Sequence, residues 1–472
     1  MGRQKDYTEG SKRFRIFKAL LCNAAVPYRS FSYYDDGTEY MRRMLRRMLK
    51  ENELESRKSV RGLRFLTLPS ETKIAAELME KMPRELVDYY MDIMKAYREK
   101  SFCSSRTTNI QERILTNADA AVFFEALGAG AFVFDRPFLL NKNAQLPQEY
   151  PVFYNSREIK DVQAGYQDIV QATPQLEKGG PKNIIGSRMN GVYITAAGRY
   201  FTVYVLGKHS IVWTRTGESN MRRHIGNVME MKGLKKNGLE GAVFLYSGDK
   251  VLNQVFFQKF NPSRQKNLLT LDMTYERTYF IPQDKRGIAL MRIMSRPGWR
   301  DEVLGAVLPD EMIKAGGAES DGFDVNTRTY YDVFLAPDLT ALKLFYRRAE
   351  MHREDVNYTV ICFDFQEQEI RQIFNKLPDV NVIAVSFDEF AEYFATGSVQ
   401  PETGGDTDAG VQDAAEGTTE ENSQDGGLTD ASEDAGTEEA MFAEDPDTDR
   451  ILEELSAENI STAAPGPGSL AG

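Results

Sequence analysis

Five cations in one short string of residues give the clearest indication of what this chain binds. Residues 38–50, TEYMRRMLRRMLK, alternate pairs of methionine or leucine with pairs of arginine at helical spacing. The cations are Arg42, Arg43, Arg46, Arg47 and Lys50, which share one arc of the predicted helix. Like charges in successive turns repel one another in an isolated helix. Phosphate groups along the same face would relieve that repulsion, which favours a polyanionic partner.

A basic hairpin is predicted directly after this helix. Residues 53–56 and 60–68 form short strands on either side of a turn at residues 57–59. The hairpin cations are Arg57, Lys58, Arg61 and Arg64. A basic helix followed by a basic hairpin is typical of a recognition helix and its wing, which predicts binding to double-stranded DNA. Since the helix has no exposed Asn or Gln beside its cations, we expect phosphate contacts and modest sequence specificity.

Two further helices are predicted to position the basic helix. Ser11 can cap a first helix with Phe14, Phe17, Leu20 and Leu21 on one face. Pro27 starts a short aromatic second helix, which the Asp-Asp-Gly turn at residues 35–37 ends. The third helix has an apolar stripe of Met41, Met44, Leu45, Met48 and Leu49. Residues 11–69 are therefore predicted to form a winged helix-turn-helix.

Acidic residues at the ends of two predicted strands define a different chemistry, that of a metal-dependent nuclease. Asp338 follows a strand at 330–335, and Asp364 and Gln366 end a buried strand at 358–365. Asp332 and Asp388 could join them. Paired carboxylates at neighbouring strand ends hold Mg²⁺ in restriction-type nucleases, where the ion activates water. The activating lysine is missing and a long helix separates the two motifs, while acids at strand ends commonly cap the next helix. We therefore assign no catalytic or metal-binding residue.

The charge of the chain is divided unevenly along its 472 residues. The total is −12, but residues 401–472 hold 20 Asp or Glu against Arg450 alone, a net charge of −19. Subtraction leaves 57 basic and 50 acidic residues in 1–400, a net charge of +7. Residues 1–70 contain 16 basic and 8 acidic residues. The positive excess therefore lies near the N-terminus, which suits a polyanionic partner.

Cysteine and histidine are too scattered to predict a zinc site or a disulfide framework. The chain has three cysteines, three histidines and no CxxC motif. The first residues lack the apolar core of a signal peptide, and Asp119 and Glu125 interrupt the most apolar run, residues 118–134. We therefore expect a cytoplasmic protein with no membrane span and no cofactor.

The fold class predicted for the whole chain is mixed α/β. A helical connector is expected at 70–130, a mixed strand-rich domain at 131–325 and a small parallel α/β unit at 326–397. In the middle domain, strands at 192–195, 200–206 and 211–213 should form a β-meander, after a strand at 131–134. Residues 398–472 are rich in Gly, Ala, Thr, Ser and acids, which predicts a disordered acidic tail able to compete with DNA for the basic N-terminal residues.

Several strings resemble one known family. The opening, SKRFRIFKALL through MRRMLRRMLKENELE to GLRFLTLPSE, resembles the winged-helix start of replication-relaxation proteins, which plasmids and integrative conjugative elements of Gram-positive bacteria encode. The strings RTTNIQERIL, VFYNSREIK, SRMNGVYITAAGRYFTVYVL and VICFDFQ are similar to the long relatives. The resemblance implies DNA binding at replication or transfer origins, with relaxation of supercoiled DNA. It implies no catalytic residue, and the Pro-Asp and acid-x-Asp/Arg pattern of the shorter members has a longer spacing here.

Residues and resemblance together predict a DNA-binding protein of a mobile genetic element that acts in replication, relaxation or transfer. The expected partners are double-stranded DNA and relaxase or replication proteins of the same element, and the chain could form a homodimer. Two alternatives stay open. One is a Mg²⁺-dependent nuclease that uses Asp338 and Asp364. The other is an adaptor that does not bind DNA, in which the arginine helix binds an acidic protein surface. The arginine helix could also be a packing helix of a bundle with no binding role.

Overall fold

The computed structural model describes most of the chain up to residue 396. It describes residues 11–23, 25–34, 38–59, 62–69, 108–162, 184, 186–208, 210–235, 237–248, 250–261, 267–272, 274–316, 320–351 and 355–396. The helices predicted within residues 71–100 and the acidic tail lie outside these ranges. Residues 1–395 belong to one compact unit.

The described elements confirm the mixed α/β class. The helices are α1 (Lys12–Asn23), α2 (Thr38–Lys50), α3 (Thr108–Leu127), α4 (Arg215–Met231), α5 (Val251–Phe257), α6 (Lys285–Met294), α7 (Trp299–Gly305), α8 (Asp310–Gly316), α9 (Leu339–Glu350), α10 (Glu367–Ile373) and α11 (Phe387–Thr396). Short 3-10 helices span Tyr28–Tyr34 and Asp364–Gln366. The strands are β1 (Ala25–Pro27), β2 (Glu55–Lys58), β3 (Arg64–Thr67), β4 (Val152–Asn155), β5 (Gly191–Ile194), β6 (Tyr200–Gly207), β7 (Val212–Trp213), β8 (Leu239–Tyr246), β9 (Asn267–Leu268), β10 (Thr278–Pro282), β11 (Gly322–Asp324), β12 (Thr329–Val333), β13 (Asn357–Phe363) and β14 (Val380–Val385).

Residues 11–69, which we call the head, contain α1, α2 and a three-stranded antiparallel sheet of order β1-β3-β2. Strand β1 was not predicted, since its three residues are too few for a pattern, and Pro27 is tolerated there because β1 is an edge strand. The predicted turn at 57–59 is wrong. Ser59 N donates to Leu63 O at 2.8 Å and Gly62 has a φ of +79°, so the turn lies after β2.

The largest sheet has five strands in the order β10-β8-β6-β5-β4. Strands β6, β8 and β10 are parallel, while β4, β5 and β6 are successively antiparallel. The predicted meander is therefore wrong in its third strand, because β7 leaves the sheet and pairs with β9. The strand predicted at residues 131–134 is also wrong. Gly128, at a φ of +102°, ends α3, and Gly130 forms a single bridge to Val152 instead.

The second large sheet contains the α/β alternation predicted near the C-terminal end of the described residues. Strands β12, β13 and β14 are parallel, as expected, and β11 adds an antiparallel edge. The chain segment after β12 reaches the five-stranded sheet, where Phe280 N donates to Pro337 O at 2.9 Å and Tyr279 bridges Asp338. Backbone hydrogen bonds therefore connect the two sheets.

Residues on the two faces of the five-stranded sheet belong to different hydrophobic cores. One core contains Phe153, Phe201 and Val243 from the sheet, and it continues through α3 into α1 and α2 of the head. The other core contains Tyr204 and Phe244 and is covered by α4, α5 and α9. Parallel strands buried on both faces explain the continuous apolar runs of β6 and β8. No helix within the described ranges is long and apolar enough to cross a membrane.

Candidate nucleic-acid interface

Helix α2 buries its apolar stripe and leaves its cations in solvent. Met41, Leu45 and Met48 are 2%, 1% and 0% exposed. Burying such a side chain contributes about 1.5–3 kcal/mol, while each like-charged pair in successive turns costs about 0.2–0.5 kcal/mol. Packing therefore outweighs the repulsion among the arginines. It also fixes which face of α2 is directed outward.

All five predicted cations of α2 are exposed. Arg47 Nε lies 3.9 Å from Glu51 Oε1, a weak pair within one helix turn. Arg42, Arg46 and Lys50 occupy successive turns of one face and form no ion pair with any residue in the described ranges. We call these three residues the basic row. Their spacing along the helix axis is about 6 Å, since each residue adds about 1.5 Å.

The end of α2 fixes the direction of the following hairpin. Glu53 N donates to Met48 O at 2.9 Å and Asn52 N donates to Leu49 O at 3.2 Å. Asn52 has a φ of +57°, the left-handed conformation that such a helix end requires. Leu54, two residues after Asn52, is buried. The chain thus enters β2 at a defined angle to α2.

The hairpin adds cations beside the basic row. Arg57 and Lys58 are exposed on β2, and Arg57 Nη2 pairs with Glu55 Oε2 at 2.7 Å. Arg64 donates from Nε to Ser56 Oγ at 2.8 Å and its guanidinium lies 4.5 Å from the centre of the Tyr28 ring. Arg61 lies outside the described residues. Among the hairpin cations that are described, Lys58 forms no ion pair.

Four other cations of the head form ion pairs with acidic residues, which sequence reasoning missed. The pairs are Arg13 with Glu51 and Glu53, Arg15 with Glu125, Lys18 with Asp135, and Arg29 with Asp119. Three of these pairs join residues 90 to 117 positions apart, so local patterns do not reveal them. Part of the positive charge counted in residues 1–70 is thereby neutralised. The outward charge is concentrated on α2 and the hairpin.

Asp119 of α3 is the centre of the contact between the head and α3. It is 1% exposed and accepts hydrogen bonds from Ser30 Oγ at 2.6 Å, Tyr33 Oη at 3.0 Å and Gln283 Nε2 at 2.7 Å. Burial, together with this carboxylate, raises the pKa of Tyr33 well above its ordinary value, so the phenol stays a donor. Head, α3 and the segment after β10 are therefore held by one polar cluster.

Asp338 caps a helix, as the alternative interpretation of the acidic residues predicted. Its Oδ1 accepts from Thr340 N at 3.0 Å and Ala341 N at 3.4 Å at the start of α9, and from Thr278 N at 3.1 Å. Burial raises the pKa of Asp338 to about 6, although these N–H groups act in the opposite direction. This carboxylate therefore has a structural role where β10 meets α9.

The other acidic-site candidates have different environments. Asp364 is exposed in its 3-10 helix, where Oδ1 accepts from Phe365 N at 2.7 Å, whereas Gln366 is fully buried. Asp332 is buried within β12 and Asp388 is exposed in the first turn of α11. Across the described ranges, no group of three or more His, Cys, Asp or Glu side chains could hold a metal ion.

No protein-family model, curated protein or solved structure matched this chain.

Proposed function

We propose that this protein binds double-stranded DNA through α2 and the β2–β3 hairpin, chiefly by contacts to phosphate groups. The observation that carries the proposal is the basic row, Arg42, Arg46 and Lys50, which faces solvent with no acidic partner among the described residues. Arg15, Lys18 and Arg29 of the same head are neutralised by acids from outside it. A face of unpaired cations gains most from a partner that supplies closely spaced negative charge.

The order of elements in the head supports a winged-helix mode of binding. Helix α1, strand β1, the 3-10 helix, α2 and the hairpin follow one another, and β1 pairs with β3 to close the sheet. In a winged helix the third helical element enters the major groove and the hairpin contacts the backbone. In this proposal α2 is the groove helix, with Arg43 and Arg47 beside the basic row. Arg57, Lys58 and Arg61 contact the adjacent phosphates.

The biological setting that we propose rests on the family resemblance of the sequence. We infer that the chain acts in the replication, relaxation or transfer of a plasmid or conjugative element. Relaxase or replication proteins of that element would be its protein partners. Phosphate contacts position a protein without specifying a base sequence, so recognition of one origin would need further contacts.

A fluorescence anisotropy titration of a labelled duplex over a series of salt concentrations tests the proposal. Wild-type affinity should fall linearly with salt on logarithmic axes, with a slope of roughly 0.9 per phosphate contact. The triple variant Arg42→Ala, Arg46→Ala and Lys50→Ala should weaken binding and lower that slope. Alanine, the best helix former, replaces arginine and lysine on an exposed face, so α2 should stay folded. Circular dichroism would check that the helix is intact.

The matched control removes the same charge from exposed positions elsewhere. The control variant carries Lys285→Ala, Arg347→Ala and Lys376→Ala. The three residues lie on or beside α6, α9 and α10, and none of them forms an ion pair within the described residues. This control should bind DNA as the wild type does. Equal affinity of both triple variants would refute the interface. If no duplex is retained even at low salt, an acidic protein surface becomes the better partner for α2.

Cleavage is a separate question, which the same DNA can answer. A nuclease built on Asp338 and Asp364 would nick or cut a supercoiled plasmid with Mg²⁺, and both EDTA and Asp364→Asn would abolish the reaction. We do not extend the proposal to cleavage, because Asp338 Oδ1 already accepts three backbone N–H groups and Gln366 is buried.

A further inference from the structure

A cleft with several arginines lies beside α4, apart from the proposed DNA interface. Its volume is about 960 Å³, and its walls come from one face of α4 and from residues at the starts of β8 and β10. The arginines that line it are Arg215, Arg222, Arg223 and Arg277. Sites for small molecules commonly have volumes of about 300–1,000 Å³. The cleft is therefore large enough for a ligand of nucleotide size.

The charge of the cleft is positive. Four arginines and two acids, Glu240 and Glu276, line it, which gives a net charge of +2. Glu240 is also paired with Arg199 at 3.3 Å, so its charge is partly neutralised by a residue outside the lining. Arg215, Arg223 and Arg277 form no ion pair within the described part of the chain. An anionic ligand would give these guanidinium groups the negatively charged partners that the described residues do not supply.

One of the arginines is held in position before any ligand binds. Arg222 Nη1 donates to Thr274 O at 2.8 Å, and its guanidinium lies 6.0 Å from the centre of the Tyr275 ring. Tyr275 is itself fixed by a hydrogen bond to Tyr204 at 2.8 Å. A guanidinium oriented by the protein loses less conformational entropy when it binds a phosphate or carboxylate.

A glycine in the middle of α4 keeps the wall of the cleft open. Gly226 lies on the lining face with Arg222 and Arg223, and a Cβ atom added there would meet nothing within 4 Å. Glycine inside a helix is less favourable than alanine by roughly 1 kcal/mol, and here no neighbouring atom requires it. The missing side chain instead leaves space on the face that carries the arginines.

We propose that this cleft binds the phosphate groups of a small ligand of nucleotide size. Planar guanidinium groups form paired hydrogen bonds with phosphate oxygens, and Ser219, Asn227 and Asn237 line the same space as neutral hydrogen-bonding groups. Nucleotides and other organic polyphosphates share this chemistry. The site is independent of the head, so its ligand does not depend on whether α2 binds DNA.

Isothermal titration calorimetry of the full chain with ATP and with pyrophosphate tests the proposal. The double variant Arg215→Ala and Arg223→Ala should weaken binding at least tenfold, because both side chains are exposed and free of ion pairs within the described ranges. The double variant Arg347→Ala and Lys376→Ala removes the same charge from exposed positions outside the cleft and should leave affinity unchanged. Gly226→Leu should weaken binding by occupying part of the cleft without changing charge, whereas Gly226→Ala should retain binding.

The results separate this site from the proposed DNA interface. The Arg42, Arg46 and Lys50 triple variant should bind ATP as the wild type does. The proposal is overturned if neither ATP nor pyrophosphate binds, or if the double arginine variant binds them as tightly as the wild type does. A short single-stranded oligonucleotide that depends on Arg215 and Arg223 while ATP does not bind would also overturn it, since the phosphates would then belong to a nucleic acid.

Discussion

Arg29 of the head and Asp119 of α3 form an ion pair of 2.7 Å, although 90 positions separate them in the chain. The same carboxylate accepts hydrogen bonds from Ser30, Tyr33 and Gln283. Since Asp119 is buried, this cluster fixes the head against the sheet as well as neutralising an arginine. The direction in which α2 presents its cations is thus set by residues far from α2 in sequence.

Replacement of Asp119 should therefore destabilise the folded chain strongly. Asp119→Ala leaves the Arg29 charge and three polar groups without their acceptor, which should cost about 3–5 kcal/mol of unfolding free energy. Asp119→Asn keeps one acceptor oxygen and should cost less. Urea denaturation measures both changes. Asp379→Ala, which removes an exposed acid, should stay within about 0.5 kcal/mol of the wild type, and a similarly small effect of Asp119→Ala would contradict the role of the cluster.

The elements predicted correctly are those whose local patterns agree with their packing. The predicted helix at 38–50 has the bounds of α2, because its apolar period and the Asp-Asp-Gly sequence before it both mark it. The parallel strands β12, β13 and β14 were also recognisable as buried β-branched runs between helices. In these elements the same residues form the helix or strand and determine which of its faces packs against the rest of the protein.

The features missed depend on contacts distant in the sequence. Nothing near β7 indicates that it pairs with β9 rather than β6, and nothing near Arg29 indicates Asp119. No local pattern marks Arg222 and Arg223 as part of a cleft, because Arg277 joins them only when β10 is in place. A signal was nevertheless present in α4, where Gly226 follows Arg222 by four positions on one helix face.

Asp332 should make stability depend on pH. Burial and the neighbouring Asp321 carboxylate raise the pKa of Asp332 well above its usual range, with Asp338 adding to the effect and Arg300 opposing it. The native chain therefore keeps a proton that the unfolded chain releases above a pH of about 3.9. The contribution of Asp332 to the free energy of unfolding is complete below that pH and is lost as pH rises through its raised pKa.

The variant Asp332→Asn removes this titration while it preserves the shape of the protonated side chain. Chemical denaturation at successive pH values should show a smaller decline in unfolding free energy for the variant than for the wild type. Asp338, whose pKa burial raises to about 6, is present in both proteins, so the difference between the two curves reports Asp332. Parallel curves for the two proteins would mean that Asp332 is ionised in the native state.

The end of α2 predicts a difference between two substitutions of one residue. Asn52 has a φ of +57°, and its N–H donates to Leu49 O where the chain turns towards the hairpin. Asn52→Gly should fold normally, because glycine adopts this conformation without steric cost. Asn52→Val should lose about 1–2 kcal/mol and weaken duplex DNA binding by misplacing Arg57 and Lys58. Thermal unfolding and anisotropy titrations measure the two effects, and equal behaviour of the variants would contradict the proposed coupling.

The acidic C-terminal residues should reduce DNA binding by competing for the head. Residues 401–472 have a net charge of −19, whereas residues 1–70 have 16 basic and 8 acidic residues, a net charge of +8. A chain truncated at Ser398 should therefore bind duplex DNA more tightly at low salt. The difference should vanish at high salt, because the Debye length shortens to about 3 Å at 1 M.

A full-length chain whose Asp and Glu after Pro401 are replaced by Asn and Gln is the matched control, and it should behave like the truncated chain. If only truncation tightens binding, the bulk of these residues rather than their charge is responsible; if neither change does, the acidic residues do not compete with DNA.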